Sequence, residues 1–266
     1  MSFQFHKMKD QSDSFVTKKN PLFNLPFRMI LVAKTGGGKS SILGNFLLKE
    51  EGYRNDFLPE NIFVFSGSLV GDMKMKIITR ELDIEPENQF SDFNEKALEG
   101  IYDYLVERFN DLVDEGEKDK KVLNSLIILD DLAYSGAFKD NGKNDQIKRI
   151  FFNGRKFNIS ILIISQKYTS VSTPLRENLS GLIVGSSSNK QIDLISGDHN
   201  YLVGGYKVFR QMFLENTEKP YTNLIINLDN DKQFKYYNNN FQPLTQYETV
   251  KEDESIHKEE EETINQ

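Results

Sequence analysis

Residues 33–40 read AKTGGGKS, directly after the apolar run MILV and running at Ser40 into SSILGNFLL. The order is that of a phosphate loop, G-x-x-x-x-G-K-[ST], with Ala33 where the first glycine usually stands. Such a loop works only at the end of a strand that feeds straight into a helix, so it constrains the fold more than any other stretch of the chain. Gly36, Gly37 and Gly38 let the backbone adopt positive φ and wrap its N–H groups around a β-phosphate. Lys39 would neutralise charge on the β- and γ-phosphates, the Ser40 hydroxyl would ligate Mg2+, and the following helix would add its positive N-terminal dipole. We therefore expect Ala33, Lys34, Thr35, Gly36, Gly37, Gly38, Lys39, Ser40 and Ser41 to bind ATP. The plain alternative is a glycine-rich turn without a ligand, and the strand–loop–helix context weighs against it.

The remaining sequence has the alternation this loop demands. Short apolar runs at 28–33 (RMILVA), 61–66 (NIFVFS), 125–130 (SLIILD), 159–165 (ISILIIS) and 181–185 (GLIVG) read as strands, with a further pair at 222–228 and 233–237. Most are continuous Ile, Leu, Val and Phe rather than alternating, as expected where both faces of a parallel strand are covered. Helices are expected to begin at Lys39, near Asp145 and near Lys190. The clearest spans 94–113, where Ala97, Ile101, Tyr104, Leu105, Arg108 and Leu112 recur at three and four, with Asp92 and Glu95 as cap and partner. Residues 115–121 (EGEKDKK) read as a solvated connection. The expected organisation is a loosely held arm at 1–20, one α/β domain at 21–244 and an acidic, disordered tail at 245–266.

Two further strand ends carry chemistry. LIILDD at 126–131 is a buried strand closing on two acids, the Walker B form. Asp130 at the tip would hold Mg2+, directly or through water, and Asp131 would orient the attacking water or take its proton. ISILIISQ at 159–166 closes on a polar residue, and Gln166 suits a sensor of the γ-phosphate because an amide holds water without titrating. An ordinary solvent-facing glutamine remains the alternative for that position. Together these features give the expected fold: an α/β P-loop NTPase of the ATP-hydrolysing class. Its mostly parallel central sheet would be flanked by helices, with the sensor strand between the phosphate-loop and Walker B strands.

Composition narrows the chemistry further. The chain has no cysteine, which excludes disulfides, cysteine metal sites and a thiol nucleophile; with only His6, His199 and His257, a histidine-built zinc site is not expected. The net charge of −7 is uneven, because 248–262 holds eight acids against Lys251 and Lys258 and leaves the rest at −1. Any grip on nucleic acid would therefore be a local patch. No apolar run approaches the ~18 residues needed to span a bilayer, and the first ten residues lack the apolar stretch of a signal peptide, so a soluble, intracellular chain is expected.

The runs LPFRMILVAKTGGGKS (25–40), LIILDDL (126–132), FFNGRKFNISILIISQKY (151–168) and PLRENLSGLIVG (174–185) resemble, in order and spacing, the poxvirus-type DNA-packaging ATPases. These belong to large DNA viruses and virophages, within the FtsK/HerA-like branch of P-loop motors. The sequence departs from that pattern at Ala33 and at Lys156, where family members often have histidine. The resemblance implies a homo-oligomeric ring that pumps double-stranded viral DNA, without regard to its sequence, into a preformed capsid, using ATP and Mg2+. It also implies capsid proteins as possible partners, and a virion or viral assembly site in the host cytoplasm as the place of action.

In such rings an arginine from the neighbouring subunit completes each site. Arg155, in NGRKFN, and Arg176, in PLREN, match arginines of family motifs; Arg155 is preferred, and either could instead be a structural ion-pair partner. DNA contact would fall to the loop at 133–144 with Lys139 and Lys143, and to Lys148 and Arg149 in the next helix; a solvated loop with ordinary lysines is the competing reading. Three other functions stay open at this stage. They are a HerA/FtsK-like translocase unconnected with packaging, a nucleotide-switched capsid-assembly scaffold with little turnover, and, less favoured, a small-molecule kinase.

Overall fold

The computed structural model describes residues 14–139, 145–230, 234–247 and 249. In chain order the strands are β1 (Arg28–Val32), β2 (Ile62–Ser66), β3 (Gln89–Phe90), β4 (Ser125–Asp130), β5 (Ile159–Ser165), β6 (Gly181–Val184), β7 (Leu224–Asn227) and β8 (Tyr236–Tyr237). The helices are α1 (Lys39–Leu48), α2 (Met73–Glu81), α3 (Glu95–Asp114), α4 (Lys120–Leu123), α5 (Asp145–Asn153), α6 (Thr173–Glu177), α7 (Asn189–His199) and α8 (Gly205–Thr217). The strands form a single sheet in the order β3-β2-β4-β5-β1-β6-β7-β8. From β3 to β6 all neighbours are parallel, and β7 and β8 add an antiparallel edge. The sensor strand β5 therefore lies between the phosphate-loop strand β1 and the Walker B strand β4, as expected.

Side chains alternate along each strand, so the sheet has two buried faces. Met29, Leu31, Val64, Ile128 and Ile164 pack against α1 and α2 through Leu43, Leu47, Met75 and Ile78. Ile30, Val32, Phe65, Leu129 and Ile163 point the other way, into Leu98, Leu105, Phe151, Ile192 and Phe213 of α3, α5, α7 and α8. Continuous apolar strands are what a sheet covered on both faces requires. No helix among the described residues is long and apolar enough to cross a membrane.

Several details differ from the sequence reading. Helix α3 starts as expected, but its cap is Asn94, whose Oδ1 accepts from Ala97 N at 3.0 Å. Asp92 instead accepts from its neighbour Phe93 N and from the Tyr134 hydroxyl, at 2.6 and 2.7 Å. The buried stripe of α3 is Leu98, Tyr102, Leu105 and Phe109, one position round from the expected one, and Tyr104 is 49% exposed. The expected stripe counted the apolar bodies of Tyr104 and Arg108, whose polar ends reach outward at low cost. The connection at 115–121 is not all coil, because α4 begins at Lys120 behind an Asp119 cap. Helices α2, α6 and α8 and the short β3 had no counterpart in the reading.

Residues 14–20, expected within a loose arm, sit on the body. Thr17 and Leu25 exchange backbone hydrogen bonds at 3.0 and 2.9 Å, Lys19 pairs with Asp56 at 2.6 Å, and Phe15 packs edge-on against Phe109. At the other end Thr249 bridges to Leu202, and the Tyr247 hydroxyl donates to Glu215. Residues 1–13 and all eight acids of the tail lie outside the described residues.

Candidate functional site

The register of the central strands brings their polar ends level. Val32 of β1 lies beside Ser165 of β5, Ile164 beside Asp130 of β4, and Asp130 beside Ser66 of β2. The chain leaves β1 through Ala33 and turns back, with Gly37 N donating to Lys34 O at 2.8 Å. Gly38 caps α1 at φ 88, a left-handed conformation that favours glycine. A Cβ on Gly37 would stand 2.8 Å from Lys34 O and 3.0 Å from the Ala33 Cβ, so the turn closes too tightly for a side chain. Ala33 itself is not among the residues at positive φ, which is why alanine is accepted where the motif usually has glycine.

A hydrogen-bond chain joins three of the expected site residues. The Thr35 hydroxyl donates to Gln166 Oε1 at 3.1 Å, and Gln166 Nε2 donates to Asp131 Oδ1 at 2.9 Å. Asp131 can point back at the loop because its own φ is 52, which turns the chain sharply out of β4; a short polar residue tolerates this better than a branched one. The phosphate loop, the polar end of β5 and the second Walker B acid thus meet at one place.

Asp130 sits deeper, 5% exposed, with Oδ2 accepting from Ser66 Oγ at 2.8 Å and Ser68 Oγ at 3.2 Å. Burial holds its carboxyl above the usual range; the nearby Asp131 charge adds to this, while the two serines and the Lys39 charge oppose it. A buried carboxylate held protonation-prone by desolvation gains from a cation. Ser40 Oγ and Asp130 offer hard oxygen donors, and Mg2+ ordinarily binds through one or two such groups together with phosphate oxygens. The residues present therefore fit the ion.

The sequence reading missed Ser66, Ser68 and Asp72. The Ser40 hydroxyl donates to Asp72 Oδ2 at 2.7 Å, while Asp72 Oδ1 caps α2 by accepting from Lys74 N at 2.8 Å. Lys74 Nζ in turn donates to Ser41 Oγ at 2.7 Å. Burial raises the Asp72 carboxyl, but the Ser40 hydroxyl, the Lys74 and Met75 amides and the Lys74 charge outweigh it and hold the group below its ordinary value. The start of α1 is therefore anchored to the start of α2. One sequence signal pointed here: the apolar run at 61–66 also ends on a polar residue.

The two arginines part company. Arg176 is 7% exposed and bound within its own chain: Nη1 pairs with Asp198 Oδ2 at 2.5 Å, Nη2 donates to Thr173 Oγ1 at 2.9 Å, and the guanidinium lies over the Tyr168 ring at 5.1 Å. The action on a neighbour's nucleotide expected of Arg176 does not fit this arrangement, because a guanidinium so enclosed cannot reach another subunit. Arg155 is exposed, in the turn just before β5. The seven residues of β5, about 20 Å of extended chain, separate it from Gln166, so it is remote from its own site.

Of the candidate DNA contacts, Lys139 is exposed and Lys143 lies outside the described residues. Lys148 pairs with Asp145 at 3.5 Å, and Arg149 is drawn onto α3, with Nη1 at 3.1 Å from Asp103 and its guanidinium 4.4 Å from the Tyr102 ring centre. Arg149 thereby serves the α3–α5 packing, which weakens the case for it as a DNA contact.

A phosphate loop on the strand beside the sensor strand, with paired acids on the strand beyond, defines a P-loop ATPase of the ATP-hydrolysing class. Residues 14–230 match the family described as Poxvirus A32 protein, and the chain belongs to that family, in agreement with the resemblance carried by its motifs. Solved structures agree on the fold. The genome packaging NTPase B204 from Sulfolobus turreted icosahedral virus 2, in complex with AMP, superposes with a TM-score of 0.57 at 12% identity, over 82% of this chain and 98% of that one. B204, the DNA-packaging ATPase from Sulfolobus Turreted Icosahedral Virus, gives 0.53 at 13%, over 83% and 98%. EssC (ATPases 2 and 3) from Geobacillus thermodenitrificans gives 0.54 at 17%, over 89% of this chain and 42% of that one. No curated protein matches the sequence.

Proposed function

We propose that this chain is an ATP-hydrolysing motor that drives double-stranded DNA into a viral capsid. The observation that carries the catalytic part is the chain Thr35–Gln166–Asp131, which sets a water-activating acid and an amide against the phosphate loop. Lys39 and the loop amides hold the β- and γ-phosphates. Ser40 and Asp130 hold Mg2+, which when bound offsets charge on the transferring phosphoryl group. Asp131 takes the proton of the attacking water, and Gln166, donating to one carboxylate oxygen, leaves the other free to face that water. Arg155 is the residue a neighbouring subunit would place against the γ-phosphate in a ring. Exposed Lys139 is the best placed of the DNA candidates, as a contact to phosphates without base reading.

The reading rests on family membership for its biological setting and on the strand tips for its chemistry. Steady-state ATPase assays with and without linear duplex DNA test it. Stimulation by duplex, independent of sequence and weakened by salt, is the expected result. Slow turnover indifferent to DNA would instead indicate the nucleotide-switched scaffold.

A further inference from the structure

The phosphate loop accounts for a triphosphate and leaves the rest of the nucleotide unassigned. A cavity of about 1010 Å³ opens beside the loop, and Gly37, Gly38 and Ser41 line one wall. The opposite wall comes from far along the chain: Tyr221 before β7, and Asn239 and Asn240 after β8. The sheet order puts this cavity on the β6–β7 side of β1, whereas Asp130, Asp131 and Gln166 lie on the β5–β4 side. A nucleotide whose γ-phosphate faces Asp131 therefore runs its sugar and base out toward this cavity.

The lining suits a base. Tyr221 is 71% exposed, and its ring rests on the loop, with Cδ1 3.2 Å from where a Cβ on Gly38 would stand. Its φ is 63, a left-handed conformation that is a true outlier for a bulky aromatic and tends to gather at ligand sites. Phe46 and Phe241, edge-on at 5.7 Å, supply an apolar floor. Asn223 Nδ2 donates to Asn239 Oδ1 at 2.8 Å, which ties the two wall segments together. That leaves the Asn239 NH2 and the whole Asn240 side-chain amide without a hydrogen-bond partner among the described residues. An amide presents a donor beside an acceptor, the pattern that matches the adjacent donor and acceptor on a purine edge.

We propose that this cavity is the nucleobase subsite, with Tyr221 as the stacking platform and Asn239 and Asn240 facing the purine edge. The proposal rests on the phosphate-loop reading above, and the test separates the two. Calorimetric titration is carried out on the wild-type protein, Tyr221→Ala and Tyr221→Phe, each with Mg-ATP and with Mg-tripolyphosphate, which has the phosphates but no base. Tyr221 is exposed, so neither substitution threatens folding. Tyr221→Ala should bind ATP roughly ten- to a hundredfold more weakly and tripolyphosphate as the wild type does, and Tyr221→Phe should restore ATP binding to within about threefold. Unchanged ATP affinity in Tyr221→Ala would overturn the subsite while leaving the phosphate loop standing. Tripolyphosphate affinity falling in step with ATP would also overturn it, by showing that the ring only supports Gly38. Wild-type protein that binds neither ligand would remove the phosphate-loop reading and this inference together.

Discussion

Replacing Arg176 with alanine separates a structural arginine from one that acts on a neighbour. The substitution removes the ion pair to Asp198 at 2.5 Å, the bond to Thr173 at 2.9 Å and the stack on Tyr168 at 5.1 Å. It also strands the Asp198 carboxylate, whose Oδ2 keeps, among the described residues, the Tyr168 hydroxyl at 2.9 Å. Breaking a buried pair from one side costs about 3–5 kcal/mol. With side-chain exposures of 9% for Arg176 and 20% for Asp198, solvent reaches the abandoned acid in part, which sets the expected loss at about 3 kcal/mol. For a domain of this size that lowers the melting temperature by about 6–12 °C. The assay is thermal unfolding of the nucleotide-free protein, followed by circular dichroism. Arg176→Lys should recover part of the loss, since it keeps the charge but not the fork that spans Asp198 and Thr173. If Arg176→Ala melts with the wild type yet poisons ATP turnover in mixed oligomers, the buried arrangement is wrong and Arg176 acts in trans.

Lys39→Ala should abolish the thermal shift that Mg-ATP gives the wild type, a shift of about 5–10 °C at a hundredfold excess over Kd; a surviving shift would detach the loop from nucleotide binding. Asp131→Asn should bind Mg-ATP within a few-fold of the wild type while turnover falls by about a hundredfold or more, and loss of binding instead would show that Asp131 holds the ligand rather than the water. His199, buried against Tyr168, should make stability fall on the acid side. Burial, with the Arg176 and Lys235 charges against the opposing pull of Asp198, lowers its pKa from 6.5 to about 4, so it is neutral in the fold. Its contribution is complete above 6.5 and is lost as pH falls from 6.5 to about 4, because only the unfolded chain takes up the proton there; the size is about 3 kcal/mol. Denaturant titrations should show that loss in the wild type and a flatter profile in His199→Gln, and an unchanged slope in the variant would assign the acid sensitivity elsewhere.

The strands were legible because parallel strands buried on both faces must be apolar throughout, and runs such as SLIILD and ISILIIS admit few other readings. The loop, Asp130, Asp131 and Gln166 were legible because each follows such a run directly. What escaped depends on partners distant in sequence. Helix α2 reads MKMKIITRE, too polar to announce itself, and holds its place through Met75 and Ile78 against the sheet and through its Asp72 cap. The enclosure of Arg176 depends on Asp198, 22 residues on, and the link from Ser40 to Asp72 spans 32. In α3 the expected stripe missed by one residue because tyrosine and arginine can lie at the margin of an apolar face as easily as within it.

The arrangement also bears on how tightly the site can hold its ligand. Several side chains that the proposal assigns to nucleotide and metal already have partners in the chain: Thr35 on Gln166, Gln166 on Asp131, Ser40 on Asp72 and Ser41 on Lys74. Binding therefore exchanges these hydrogen bonds for others, and three of the four have a charged partner, each worth about 1.5–3 kcal/mol, so much of what the ligand gains at these side chains offsets what they give up. Affinity must come instead from groups whose benefit appears only with the ligand: the Lys39 charge and the amides at the start of α1 act on the phosphates and, on the proposal above, the Tyr221 ring acts on the base.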